Sequence, residues 1–141
     1  MAITFVNAYK KAVLDGSIDL VNDTIKAMFL TSSHTTDIDA QIFIDDVSAN
    51  EVSDSGTYSA GGVTLTITTS QDDTDDEGVA DAADFSVTSF TGSVRYIAFY
   101  KDTGTPGTSP IIGIEDLGAD KTATAGTWAY TVATEGLINT N

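Results

Sequence analysis

Apolar positions along this chain recur mostly with the period of two that a pleated strand imposes, and once with the period of a helix. The two densest runs, Val94–Tyr100 and Ile111–Leu117, flank residues 101–110, which carry both prolines and two glycines. Helix cannot continue through that segment, so the pattern predicts a wide-looped β-hairpin. Val94, Tyr96, Ala98 and Tyr100 would share one face, and Arg95, Ile97, Phe99 and Lys101 the other. Apolar groups on both faces imply cover on both sides, hence a central strand.

Residues 4–15 carry the helical stripe: Phe5, Val6, Tyr9, Ala12 and Val13 fall on one side. Thr4 or Asn7 would cap this helix, and Gly16 would end it. Such a stripe is either core packing or a helix that docks on a neighbouring subunit. Residues 24–31 read as a buried strand after an Asn22-Asp23 turn. Residues 32–41 and 45–62 read as polar loops, and Ile42-Phe43-Ile44 as a short strand or one helical turn. Val63, Leu65 and Ile67 alternate with Thr64, Thr66 and Thr68, a half-buried strand with a polar outer face. Residues 70–78 read as a loop, 79–83 and 85–90 as weaker strands, and 118–126 as a Gly/Ala/Thr turn. Trp128, Tyr130 and Val132 then share a face of a last strand. Leu137 and Ile138 end the apolar content, and 139–141 are expected to fray.

Short strands separated by turns, with no βαβ alternation, predict a mainly β fold. The expected form is an antiparallel β-sandwich, jelly-roll-like or barrel-like, with one short N-terminal helix. A chain of 141 residues is expected to form one domain spanning 1–141, with 1–16 its N-terminal helical segment.

Composition narrows the partners. Six Lys+Arg against 21 Asp+Glu leave a net charge of −15. Nucleic-acid binding needs clustered cations that displace phosphate counterions, so no nucleic-acid partner is expected, and an anionic membrane is disfavoured for the same reason. No apolar run approaches the ~20 residues of a membrane helix, and the first residues do not read as a signal peptide. There is no cysteine, which removes disulfides and thiolate metal sites.

Three features invite a chemical reading. In 72–84, DDTDDEGVADAAD, Asp73, Asp75, Glu77, Asp81 and Asp84 take the oxygen-donor positions of a calcium loop, with Gly78 at its turn. The last position is Asp where a bidentate Glu is usual, and no amphipathic helix flanks the loop, so Ca²⁺ is a weak candidate and no other cofactor is expected. Asp54-Ser55-Gly56 and Asp102-Thr103-Gly104 match the tripeptide of aspartic proteases, whose chemistry needs two carboxylates sharing a proton. Here Lys101 precedes one and a polar loop surrounds the other, which fits ordinary Asp-x-Gly turns. The single histidine, His34, lies in a Ser/Thr loop with no nucleophile elbow in the chain and reads as a surface residue. No catalytic residue is assigned. Arg95, the one arginine, is either paired with a carboxylate at a sheet face or an interface anchor. The candidate interface residues are Phe5, Tyr9, Val13 and Arg95.

The segments AYKKAVLDGSIDLVNDTIKAMFLTSS, ANEVSDSGTYSAGGVTL and VRYIAFYKDTGTPGTSPIIGIEDLG resemble small structural proteins of tailed bacteriophages, among them capsid decoration and cement proteins. The resemblance covers roughly two thirds of the chain and rests on wording and order rather than on a catalytic signature. It implies a non-enzymatic β-rich module of the virion, made in the host cytoplasm and bound to the capsid exterior. Its implied partners are the major capsid protein and further copies of itself, a trimer being the natural guess on a symmetry axis. The segment 1–14 and the loops 45–62 and 101–110 are the expected contacts. A neck, tail or fibre component, a calcium- or carbohydrate-binding β-module and, last, a hydrolase are the other readings.

Overall fold

The computed structural model describes residues 3–140. Its strands are β1 (Ile3–Phe5), β2 (Ile25–Leu30), β3 (Val63–Leu65), β4 (Ile67–Asp72), β5 (Glu77–Ala82), β6 (Phe85–Lys101), β7 (Ile111–Tyr130) and β8 (Ile138–Asn139), and its helix is α1 (Asn7–Asp15). They form two antiparallel sheets, ordered β1-β7-β6-β2-β3 and β4-β5-β8, in a sandwich-like arrangement. The hairpin of β6 and β7 is the spine, and β6 is a central strand between β7 and β2, with Ile97, Ala98, Phe99 and Tyr100 all buried.

The two long strands run well past the predicted hairpin. Residues 85–90 merge with the central strand as β6, and 118–126 belong to β7 rather than to a turn. Their Gly/Ala/Thr composition suggested a turn, but pairing with β6 holds them extended. Four register slips interrupt this ribbon, one of them between Phe99 and Tyr100 and three in its far part. Ser89 opens one at a positive φ, residues 117–120 of β7 oppose Arg95 alone, and Ala125 adds a third beside Gly126. The far half of the ribbon consequently lies over the inner face of the first sheet. There Phe29 is surrounded by Tyr58 at 4.7 Å, Trp128 at 4.4 Å, Phe90 at 6.3 Å and Phe85 at 6.4 Å between ring centroids. Trp128 donates from its indole to Lys121 O at 3.0 Å, and Lys121 Nζ lies over the Trp128 ring at 4.5 Å. Trp128 and Val132 are buried and Tyr130 half-buried, as their shared face predicts.

The alternation of Val63–Thr69 is real, yet it serves two sheets. β3 pairs with β2 and, one residue later, β4 pairs with β5. Residues 70–78 are a hairpin rather than a loop: β4 runs to Asp72 and β5 starts at Glu77. Ile42-Phe43-Ile44 divides between its two readings, Phe43 bridging Pro110 while Ile44 opens a 3-10 turn. The loop 45–62 holds two such turns and covers the outer face of the first sheet, where Ile44 and Val47 are buried.

The N-terminal helix begins later than its stripe. Thr4 and Phe5 are extended in β1, paired with Ile114 and Gly113 of β7, and Val6 rather than Thr4 or Asn7 occupies the cap without a side-chain bond. The segment 1–16 is therefore strand then helix over its described residues. Gly16 ends α1 as predicted: at φ +70° it turns left-handed, and Gly16 and Ser17 both donate to Ala12 O. Tyr9 and Ala12 are buried, but Val13 is 53% exposed. Val13 falls off the packed stripe because the helix contacts the sheets through one narrow face.

Candidate interaction surface

The loops 45–62 and 101–110 meet on the outer face. Together they enclose a cleft of about 360 Å³ lined by Ser48, Glu51, Gly61, Asp102, Pro106 and Ser109, over a floor of Lys26, Met28 and Tyr100. Each wall is tied down from within. In 101–110 the Ser109 hydroxyl accepts from Thr103 N–H at 3.0 Å and donates to Thr105 O at 2.9 Å, and Ser109 is fully buried. Thr103 and Thr108 hydroxyls bond at 2.7 Å, and Pro106–Thr108 form a 3-10 turn. In 45–62, Tyr58 drives its ring onto Phe29, while its hydroxyl accepts from Phe29 N–H at 3.0 Å and donates to Glu51 Oε1 at 2.8 Å. Gly61 N–H donates to the same oxygen at 2.7 Å, and Tyr100 donates to Gly61 O at 2.6 Å. This matters for β2, because β3 covers its outer edge only over Ile25–Ala27, and Tyr58 and Val52 satisfy Phe29 beyond it.

One ion pair lies in the cleft, and a second lies outside its lining. Lys26 Nζ lies 2.7 Å from Asp102 and Lys101 Nζ 2.9 Å from Asp23. Lys26 and the Gly104 N–H hold the Asp102 carboxyl below its usual range. Asp54 accepts from Ala60 N–H at 2.6 Å. The two Asp-x-Gly carboxylates thus have separate partners.

Glu51 sits half-buried in this cleft, and burial pushes its carboxyl above the ordinary range, against the pull of the Tyr58 and Gly61 donors and with a further push from Asp54. The folded state therefore binds the Glu51 proton more tightly than the unfolded chain does. Its contribution to stability is full below the ordinary carboxyl range and is lost as pH rises through the folded value. Glu51→Gln keeps an acceptor for both donors and removes that loss. Thermal unfolding from about pH 4 to about pH 8 should show the variant gaining on the wild type as pH rises. Parallel curves would show that Glu51 titrates alike in both states.

The remaining predicted residues are placed as follows. Arg95 binds Asp116 through Nε at 2.7 Å and a terminal nitrogen at 3.1 Å, a two-point pair at the sheet face. The carboxylate pair of the first reading is formed within the chain. Tyr9 is buried and its ring meets that of half-buried Phe5 at 5.4 Å, whereas Val13 is open. The acidic candidates do not converge. Asp73 accepts from Gln71, Asp75 lies in the β4–β5 turn, Glu77 and Asp81 stand on the extended β5, and Asp84 accepts from Val132 N–H at 2.8 Å. Among the described residues no three His, Cys, Asp or Glu are grouped to hold a metal ion.

His34 corrects the expectation of a surface residue. It is 3% exposed, meets Tyr96 edge-on at 5.1 Å and shares a hydrogen bond with Thr36 at 3.3 Å; burial lowers its pKa. Its polar neighbours in sequence disguised it, because the loop folds back onto the sheet. Glu115 was hidden inside the apolar run 111–117. It is buried on the inner face, accepts from the Tyr130 hydroxyl, and burial raises its pKa. An acid directly following Ile114 in an isoleucine-rich run was the available signal.

A second concavity, of about 500 Å³, opens where α1 meets the second sheet. Ile67, Ala80 and Ala82 seal one end of that sheet's inner face, while its Gly78 and Thr140 end stands off the helix. Tyr9, Val13, Ile18, Val79, Ala80 and Ile138 supply most of the apolar lining. No protein-family model matches this chain, and no curated protein or solved structure matches it significantly.

Proposed function

We propose that this chain is a non-enzymatic structural protein of a tailed-bacteriophage virion, a cement or decoration module that binds the major capsid protein and its own kind on the capsid exterior. The observation that supports it best is the cleft between loops 45–62 and 101–110. The second loop and residues 49–62 of the first lie within the segments that resemble virion proteins, and the two loops arrive at one surface already held by internal hydrogen bonds. A surface organised in advance loses little conformational freedom on docking, so more of its contact energy appears as affinity. A module that binds only an assembled shell lowers the free energy of that state by mass action, and repeated weak contacts around a symmetric lattice add through effective concentration. The strong acidity favours a shell surface with basic groups.

The test is the position and copy number of this chain in purified particles, by cryo-electron microscopy or quantitative gel. Copies in the hundreds on the head support the cement role. A small ring multiple assigns the chain to the neck or tail instead, and its absence from particles overturns the proposal.

A further inference from the structure

The geometry points to the wedge between α1 and the second sheet as a copy-to-copy contact, filled by Leu14 of a second molecule of this chain. Leu14 is 89% exposed, the most open of the large apolar side chains among the described residues. Val13, its chain neighbour, is 53% exposed and Val21 51%, and both line the wedge. One end of the molecule thus presents an apolar knob next to an apolar hollow. A pair related by a two-fold axis can place each knob in the other's hollow, and such a contact closes on itself.

Charge selects the occupant. The hollow ends at Ser70 and Gly78, the shoulders of the β4–β5 turn, and that turn carries Asp72, Asp73, Asp75, Asp76 and Glu77. A ligand for this hollow should be apolar with a cation a short distance away. The chain carries that pair on its own helix: Lys10 lies one turn before Leu14 on the same face. Lys10 is exposed and bonds only the Asn7 side chain, at 3.3 Å. Among the described residues Lys11, Lys26, Arg95 and Lys101 are each paired with a carboxylate, and Lys121 lies on Trp128. Residues 1–23 hold two lysines against three aspartates, which leaves four Lys+Arg against 18 Asp+Glu in the rest. Two copies of so acidic a chain meet with least repulsion through α1. The contact uses a different surface from the cleft, so both can be occupied together. This names the self-association in the proposed function and rests on that reading for its role, but it is tested without particles.

The experiment is the solution mass of the whole chain by light scattering and sedimentation over about 1–200 μM, a range chosen to bracket weak association. The wild type should exceed its 14.7 kDa monomer mass as concentration rises. Leu14→Asp should weaken association at least about tenfold, the scale of burying one leucine, with only a small fall in thermal midpoint, since the side chain is exposed and the cost is that of an acid in the last turn of a helix. Leu14→Ala, which keeps the helix, should move in the same direction. Lys10→Glu should weaken association several-fold, and mixing it with an Asp73→Lys/Asp75→Lys chain should recover part of the loss. Ile42→Asp adds the same charge at an exposed apolar site outside the wedge and should leave the mass alone. A monomeric wild type overturns the inference, as does an unchanged mass for Leu14→Asp or an equal loss for Ile42→Asp. Loss of particle binding by Leu14→Asp in a monomeric chain would assign the wedge to the shell and overturn it too, while leaving the virion reading standing.

Discussion

Trp128→Ala should lower the unfolding free energy by about 3–5 kcal/mol, the range for a fully buried large aromatic. Trp128 is 1% exposed and its ring lies 4.4 Å from that of Phe29. That ring contact packs the far half of the β6–β7 ribbon on β2, while the indole N–H and the Lys121 cation tie β7 to itself across the bend. Truncation leaves a void between two layers that cannot close, because Phe29 is held on its other side by Tyr58. Denaturant titration should show a lower midpoint with an unchanged slope. A loss below about 1 kcal/mol would mean that the ribbon does not depend on this contact.

Gly62→Ala should cost about 3 kcal/mol or more, from two sources that act together. Gly62 has φ +87°, and left-handed backbone costs an L-residue roughly 1–2 kcal/mol. A Cβ there would also stand 2.1 Å from Ala27 O and 2.6 Å from its carbonyl carbon. Those atoms are backbone of β2 and cannot swing aside, so β3 must separate from β2, an overpacking cost of about 1–3 kcal/mol. The damage should be local before it is global: amide exchange at Ile25–Ala27 and Val63–Leu65 should speed up ahead of exchange in β6. Gly16→Ala is the control, with φ +70° but no atom within 4 Å, and should show the backbone term alone. Equal losses at the two sites would remove the steric part of the argument.

Local chemistry carried much of the fold. The hairpin around 101–110, the stop at Gly16, the buried strand Ile25–Leu30 and the inward set Trp128 and Val132 all follow from side-chain period and from Gly and Pro. The misreadings share a cause. Residues 118–126 and 70–78 are small or acidic and poor in strand formers, and they are extended because a partner strand pairs with them. Thr4 and Phe5 match a helical stripe but are captured by β7. The contact loops could be named from the chain, but their meeting in one cleft could not, since nothing local sets the position of residue 51 against residue 102.

Which stretches extend, where the chain must turn, and that the surface would be strongly acidic were decided by the order of residues alone. These properties are local, and a window of a few side chains is enough to set them. The tertiary structure alone decided which sheet each strand joined, where the long ribbon bent, that His34 and Glu115 would be buried, and that Leu14 would stand exposed beside an apolar hollow. Those outcomes depend on contacts between residues far apart in sequence, and the register slips that create them record a balance between pairing and packing reached only when both layers are in place.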